Sequence, residues 1–379
     1  YFARFTDDAV EGMAGPDQTV WSDTITREYA NLRTAIGWSL ESGAVDAAER
    51  ICLGLWRYWR HGTQLSEGRR WLDRVLTGPG GADERRAELL YTAAALAATQ
   101  DDDAAATRYG EECLQLTEAT VDRQGTAQAR NILGVAAMRA GRFDEATEHF
   151  SYGLQVWREL DQPHGTAIAL GNLAKLCLRQ GQTDDAANHI HHCLELERAA
   201  GNSSGVLLGL ECLGEILLAQ DDLAAAARVA DETLTLSRDL GDVFGEAAAL
   251  HQQGLIARSA GDPDTARALF GAALLRRHQV GDREDLAVSF ECLADVVVAS
   301  RPEPAVRLLA AADHLRQTQQ LATPPDTDGR RQATLDAART ALGRPAFAAA
   351  WRTGRRIPLD TMVADAVAMS PGIGAAGTG

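Results

Sequence analysis

The chain has 379 residues, 45 % of them apolar, and a formal net charge of −16. That length exceeds one ordinary compact domain, although a repeat array can run on as a single body. The acid excess repels phosphate backbones and excludes direct nucleic-acid binding by this segment, leaving basic partners or uncharged ligands. The longest apolar runs, such as Ala93 to Ala98, are too short to span a membrane.

Residues 1–80 start without an initiator methionine, inside an apparent helix (Tyr1-Phe2-Ala3-Arg4-Phe5), so the chain reads as a fragment or a processed piece. No basic-then-apolar leader opens it, and the setting is read as cytoplasmic. Five of the seven tryptophans, Trp21, Trp38, Trp56, Trp59 and Trp71, fall in this stretch. They predict a dense helical core with atypical first helix pairs that caps an array, because terminal repeats need special faces.

Residues 81–286 repeat with a period of 40: Ala106, Ala146, Ala186, Ala226 and Ala266 mark one column, and Leu114, Leu154, Leu194, Leu234 and Leu274 a second. Small residues recur at Ala94, Gly134, Ala174, Gly214, Gly254 and Ala294, and turn formers at Asp101, Gly141, Gly181, Asp221 and Gly261. Four columns in register define a unit of two helices. The first ends at the Gly141-type position, where glycine takes the left-handed conformation. The second opens with acids such as Asp144-Glu145, which complement the helix dipole. Asp262-Pro263 supplies a cap followed by proline at the first helical position. Ala146, Phe150 and Leu154 form one apolar stripe, and Gly134 or Gly214 lets the paired helix approach closely. The set Leu133-Gly134, Gly141, Ala146 and Phe150 resembles the tetratricopeptide repeat, although Ala137 stands where that family has an aromatic. The resemblance implies an all-α fold, a right-handed α-solenoid of tetratricopeptide-like helix pairs with helical caps at both ends.

Residues 287–368 read as the C-terminal helical cap, with Pro302 and Pro304 breaking the period and Pro324-Pro325 marking a loop. Residues 369–379 read as a disordered tail rich in glycine and alanine. Two sets of segments carry a narrower resemblance. At the N-terminal end these are Glu28-Tyr-Ala-Asn-Leu-Arg33, Ala35-Ile-Gly-Trp38, Leu55-Trp-Arg-Tyr-Trp59 and Leu65-Ser-Glu-Gly-Arg-Arg-Trp-Leu72. At the C-terminal end they are Ala305 to Leu315, Leu342-Gly-Arg-Pro-Ala-Phe347 and Trp351-Arg-Thr-Gly354. Together they resemble the region after the nucleotide-binding module in large actinobacterial signal-transduction ATPases, some of them LuxR-type activators. That resemblance implies an effector-sensing arm that restrains an ATPase. The ATPase itself is not here: Lys175 is the only lysine and lies within a helix, so no Gly-x-x-x-x-Gly-Lys-Ser/Thr loop exists, and no helix-turn-helix follows Val367.

Several motifs point to chemistry and fail on context. Gly201-Asn-Ser203-Ser-Gly205 spells a hydrolase elbow, but it aligns with the Gly241 and Gly281 turns between helices rather than with a strand-to-helix turn. Gly372-Ile-Gly374-Ala-Ala-Gly377 spells a dinucleotide fingerprint with no strand before it. His189, His192 and Cys193 share a helix face with ligand types that suit zinc, yet Ile190 and Leu194 are the core positions there. The arginine pairs Arg69-Arg70, Arg85-Arg86, Arg276-Arg277 and Arg355-Arg356 read as solvated helix faces. The six cysteines are scattered without a Cys-x-x-Cys pair and read as reduced, mostly buried hydrophobes. No catalytic residue, metal or cofactor is assigned.

In a superhelix of helix pairs the first helix of each repeat lines the concave surface. By the tetratricopeptide alignment its groove positions include Gln128, Asn131, Arg139, Lys175, Arg179, Glu211, Glu215, His251 and Arg258, polar residues within otherwise apolar helices. Their mixed charge suits a protein or peptide partner, or a domain of the same regulator, with a small-molecule effector as a further option. Two readings follow: the sensing region of an ATP-dependent transcriptional regulator, or a free-standing scaffold that assembles other proteins.

Overall fold

The 40-residue period is two equal helices and two equal turns. The computed structural model describes residues 1–13, 18–61, 64–78, 82–100, 102–319 and 325–370, and the chain divides into two units, residues 1–202 and 203–379. Among the described residues there are helices and no strand. The first unit holds α1 (Phe2–Gly12), α2 (Gln18–Glu41), α3 (Val45–His61), α4 (Leu65–Thr77), α5 (Asp83–Thr99), α6 (Asp103–Ala119), α7 (Arg123–Arg139), α8 (Phe143–Glu159), α9 (Pro163–Arg179) and α10 (Thr183–Ala199). The second holds α11 (Ser203–Ala219), α12 (Leu223–Leu240), α13 (Val243–Ser259), α14 (Pro263–Val280), α15 (Arg283–Val297), α16 (Pro302–Gln319), α17 (Pro325–Gly354) and α18 (Leu359–Ala368). The helices from α5 to α10 are all 17 residues long.

The same device makes each turn from α6 to α15. A residue with positive φ recurs each 20 positions, at Val121, Gly141, Asp161, Gly181, Gly201, Asp221, Gly241, Gly261 and Gly281. The N–H of the next residue then reaches back five positions, as in Arg142 to Ala137 (2.9 Å), Asp222 to Leu217 (3.0 Å) and Asp262 to Ala257 (2.9 Å). This pattern satisfies the last carbonyls of the outgoing helix. Where that next residue is aspartate it also caps the incoming helix: Asp122 accepts from Gly125, Asp222 from Ala225 and Asp262 from Thr265. Turns within and between repeats are therefore built alike, which the sequence hides by alternating glycine with other residues.

The alanine column is buried throughout, at 0–1 % exposure from Ala106 to Ala266, because only a methyl fits between helices at that level. A Cβ added at Gly134 would lie 2.6 Å from Phe150 of the paired helix α8, and one at Gly254 would lie 2.6 Å from Phe270 of α14. Gly214 departs from the expected role. Its added Cβ would meet Gln252 at 2.3 Å, on the first helix of the next repeat rather than on the paired helix.

The N-terminal core gathers Ile25, Leu32, Ile36, Leu55 and Leu72 around Trp59. Trp59 alone of the five tryptophans is fully buried, and Trp38 is 64 % exposed. The segments quoted above for this stretch meet here: Trp59 donates to the Tyr29 hydroxyl (3.0 Å), Trp71 donates to Glu67 (3.3 Å), Arg33 pairs with Glu67 (2.7 Å), and Gly68 packs on the Trp59 ring. At the other end Phe290 and Leu293 of α15, Leu308 and Leu309 of α16, Leu335 of α17 and Met362 and Val363 of α18 share one core. The chain leaves helical geometry at Gly343 (φ 73°) inside α17, just before Pro345. Asp101, Pro324 and the Gly372–Gly377 motif lie outside the described residues, as does the predicted tail beyond Ser370. Among the described residues no helix is long and apolar enough to cross a membrane.

Candidate interaction surface on the first helices

The nine predicted groove residues fall on α7, α9, α11 and α13, and the fold sorts them into two kinds. The first kind is tied to neighbouring helices. Asn172 of α9 donates to Asn131 Oδ1 of α7 at 2.6 Å. Eighty residues on, Gln252 of α13 donates to the main-chain oxygen of Glu211 on α11 at 2.7 Å, so a side-chain amide at the same register ties two first helices in each unit. Arg139 reaches Ala98 O (2.9 Å) and Asp103 (3.2 Å), and Arg258 reaches Asp295 (3.4 Å). His251 packs on the Phe270 ring and faces Arg277 at 3.4 Å. Burial, and then the charges of Arg277 and Arg258, hold its pKa well below the usual histidine value, so it is neutral near pH 7 and accepts a hydrogen bond.

Gln128, Lys175 and Arg179 make up the second kind, without a hydrogen-bond or ion-pair partner among the described residues; Lys175 and Arg179 are exposed. Arg179 shows why. It occupies the place in α9 that Arg139 holds in α7, but Phe143 opens α8 where Asp103 opens α6, so no carboxylate is there to receive it. Glu215 is exposed on α11. Sequence reasoning missed one exposed apolar residue on the first helices of each unit. Ile168 is 38 % exposed and Leu208 is 51 % exposed, and they stand 40 and 80 residues after Gln128. Extending the Gln128 column by the period would have found both.

Of the paired arginines, Arg70 and Arg356 are exposed, as the sequence suggested, and the other six tie helices together. Arg69 binds Gln100 (2.9 Å) and Asp102 (2.7 Å), Arg86 binds Glu112 (2.8 Å), and Arg276 binds Glu246 (2.9 Å). Arg277 is 4 % exposed and donates to Ser289 (2.6 Å) and to Asp285 O (3.0 Å). Arg355 binds Asp313 (2.9 Å). An arginine fork long enough to bridge adjacent helices finds an acid in most repeats, and burial strengthens the bond it makes.

The remaining motifs resolve into architecture. Gly201 closes α10 in the left-handed conformation and Ser203 opens α11. Ile190 and Leu194 are buried to 1 %, His191 and His192 are exposed, and no group of three or more metal-binding side chains occurs among the described residues. All six cysteines are free and buried, and burial pushes the Cys193 thiol up to about 11.

Helix pairs of this length, joined by a recurring left-handed turn, define an all-helical repeat fold. Residues 125–199 match the family model described as tetratricopeptide repeat. Among solved structures, a Rap protein complexed with Competence and Sporulation Factor aligns over 84 % of this chain and 99 % of its own, at 12 % identity and TM-score 0.54. The apo form of RapI aligns over 83 % of this chain and 98 % of its own, at 15 % identity and TM-score 0.51. At these identities the likeness concerns the fold alone. No curated protein matches the sequence.

Proposed function

We propose that this chain is the sensing region of an ATP-dependent transcriptional regulator, and that its first helices bind a protein or peptide segment. The observation that carries the binding half is the division just described. Arg139, Asn131 and Arg258 spend their polar groups on neighbouring helices, whereas Gln128, Lys175 and Arg179, beside exposed Ile168, spend theirs on nothing in the described fold. A surface of unpaired donors flanking an exposed aliphatic suits an extended or helical segment better than a small polar metabolite. In the second unit Leu208 of α11 is the corresponding exposed aliphatic. The Rap protein of similar fold is complexed with a factor of its own, which agrees with a binding role.

The regulator half rests on the resemblance of the N-terminal and C-terminal segments quoted above; in the fold the N-terminal ones touch through Tyr29, Glu67, Gly68 and Trp71. Reading the coding DNA before Tyr1 tests it. An in-frame phosphate-binding loop supports the sensing arm. A start codon just before Tyr1, with no such module, sinks it in favour of a free-standing scaffold. The binding half is tested by mixing the encoded module with this chain: Lys175→Glu with Arg179→Glu is expected to weaken capture at least about tenfold while helicity is unchanged. Equal capture by the folded variant removes Lys175 and Arg179 from the surface.

A further inference from the structure

The outward face of the second helices changes character between α12 and α14. Glu111, Ser151, His191 and Asp231 hold one outward position at steps of 40, and all four are exposed. Gly271 holds that position in α14 and is buried. One turn on, Gln115, Gln155, Glu195 and Thr235 give way to Leu275. Ala268 and Ala272 of α14 stand where α12 has Arg228 and Glu232. Four positions spaced three and four apart thus turn from polar to apolar together, and an apolar stripe on a helix needs cover.

The cover is α18, which packs back on α14 and α16 within the same unit. Its Met362, Val363 and Ala366 are buried in the core that holds Phe270, Leu274 and Leu308, while Asp360, Thr361, Ala364 and Asp365 are exposed. A Cβ added at Gly271 would lie 2.5 Å from the Ser370 hydroxyl, so the glycine lets the end of this segment reach the face of α14. At the other end His278 of α14 faces Asp360 at 3.3 Å, which sets α18 antiparallel to α14. A helix of ten residues is marginal on its own in water, so α18 is helical because this face receives it. It buries three residues where α9 buries nine, and is therefore held more lightly than a helix of the array and opens before it. Leu275 stays 37 % exposed with α18 in place, so the apolar face extends past its cover.

We propose that the outward face of α14, with α16 beside it, is a docking groove for a short amphipathic helix, and that α18 is its displaceable occupant. The partner it fits carries the pattern of α18: aliphatics at two successive positions, a small residue three further on, and an acid in the first turn to meet His278. Such a helix competes with a segment tethered to the groove, so it is captured weakly until α18 is released. The groove lies on second helices and does not rest on the reading of the first-helix surface.

The test uses the full chain. Gly271→Asp gives α14 the residue that α12 carries at that position, Asp231, and so suits a folded repeat. It is expected to speed hydrogen exchange in residues 359–368 at least about tenfold while α13 to α16 exchange as before. Met362→Ser with Val363→Ser is expected to release α18 likewise and to leave the groove open. A fluorescein-labelled peptide with the sequence of residues 357–370 should bind this released chain at least about tenfold tighter than the native chain. Adding Gly271→Asp to the released chain should abolish that binding. Unchanged exchange of α18 in Gly271→Asp overturns the proposal, and so does a released chain that leaves the peptide unbound. Loss of protection across α13 to α16 in both variants makes α18 part of the core and overturns its displacement. A native chain that sediments as a dimer, and as a monomer after Gly271→Asp, overturns the intramolecular occupant and gives the groove to a second copy.

Discussion

Both units tie helices together with arginine, but among the described residues only residues 203–379 bury both partners of such a pair. In residues 203–379 the cations turn inward: Arg277 is enclosed by Asp285 and Ser289, and Arg316 grips Glu291 with two hydrogen bonds of 3.2 and 3.1 Å, both side chains 6 % exposed. In residues 1–202 Arg57, Arg60, Lys175 and Arg179 meet no acid in the described fold. A polar residue on a first helix is thus a tie or a contact point according to what stands about 36 residues away, as Asp103 and Phe143 show for Arg139 and Arg179. Polarity at a repeat position does not by itself mark a binding surface.

The strongest way to break this contrast is to remove one partner of the buried pair. Arg316→Met leaves Glu291 buried with Arg331 as its remaining cation among the described residues, at 3.6 Å. A loss of about 3 kcal/mol is expected, because an uncompensated buried charge remains. Hydrogen exchange should locate the loss in α15, α16 and α17. A loss below about 1 kcal/mol would mean that Glu291 takes up a proton or reaches solvent, and the inward network would no longer distinguish this unit.

A second change tests whether the units are alike beneath their charges. Gly134→Ala and Gly254→Ala each push a methyl onto a phenylalanine ring at 2.6 Å, one in each unit. Each is expected to cost about 1–3 kcal/mol by overpacking, and by similar amounts, measured by urea unfolding. Unequal costs would show that the repeat geometry differs between α7–α8 and α13–α14.

Much of this fold was legible in the sequence, because the period, the alanine column and the glycine turns all report backbone geometry that only certain residues satisfy. The position of Gly134 against Phe150 followed from spacing alone. The role of Gly214 did not, since the glycine faces a glutamine of the next repeat, and a long side chain reaches farther than a column can show. The candidate surface was legible in outline and not in detail. Asn131 and Arg139 were placed on the correct helix, but their bonds to Asn172 and Asp103 join residues 41 and 36 positions apart, either side of the period.

The smallest effect concerns the turn that fits its rule least well. Val121 takes φ 57° between α6 and α7, where the equivalent turns at Gly141 and Gly181 use glycine. The left-handed conformation costs an L-residue about 1–2 kcal/mol, and β-branching makes valine a poor occupant. The side chain is 82 % exposed, so it recovers little by packing. Val121→Gly is therefore expected to stabilise the chain by about 0.5–1 kcal/mol, after subtracting the greater freedom of glycine in the unfolded chain. Thermal unfolding should show a rise of about 1–3 °C. A fall instead would show that the exposed isopropyl group contributes contacts, and the α6–α7 turn would then join the first helices as a surface to be explained by a partner.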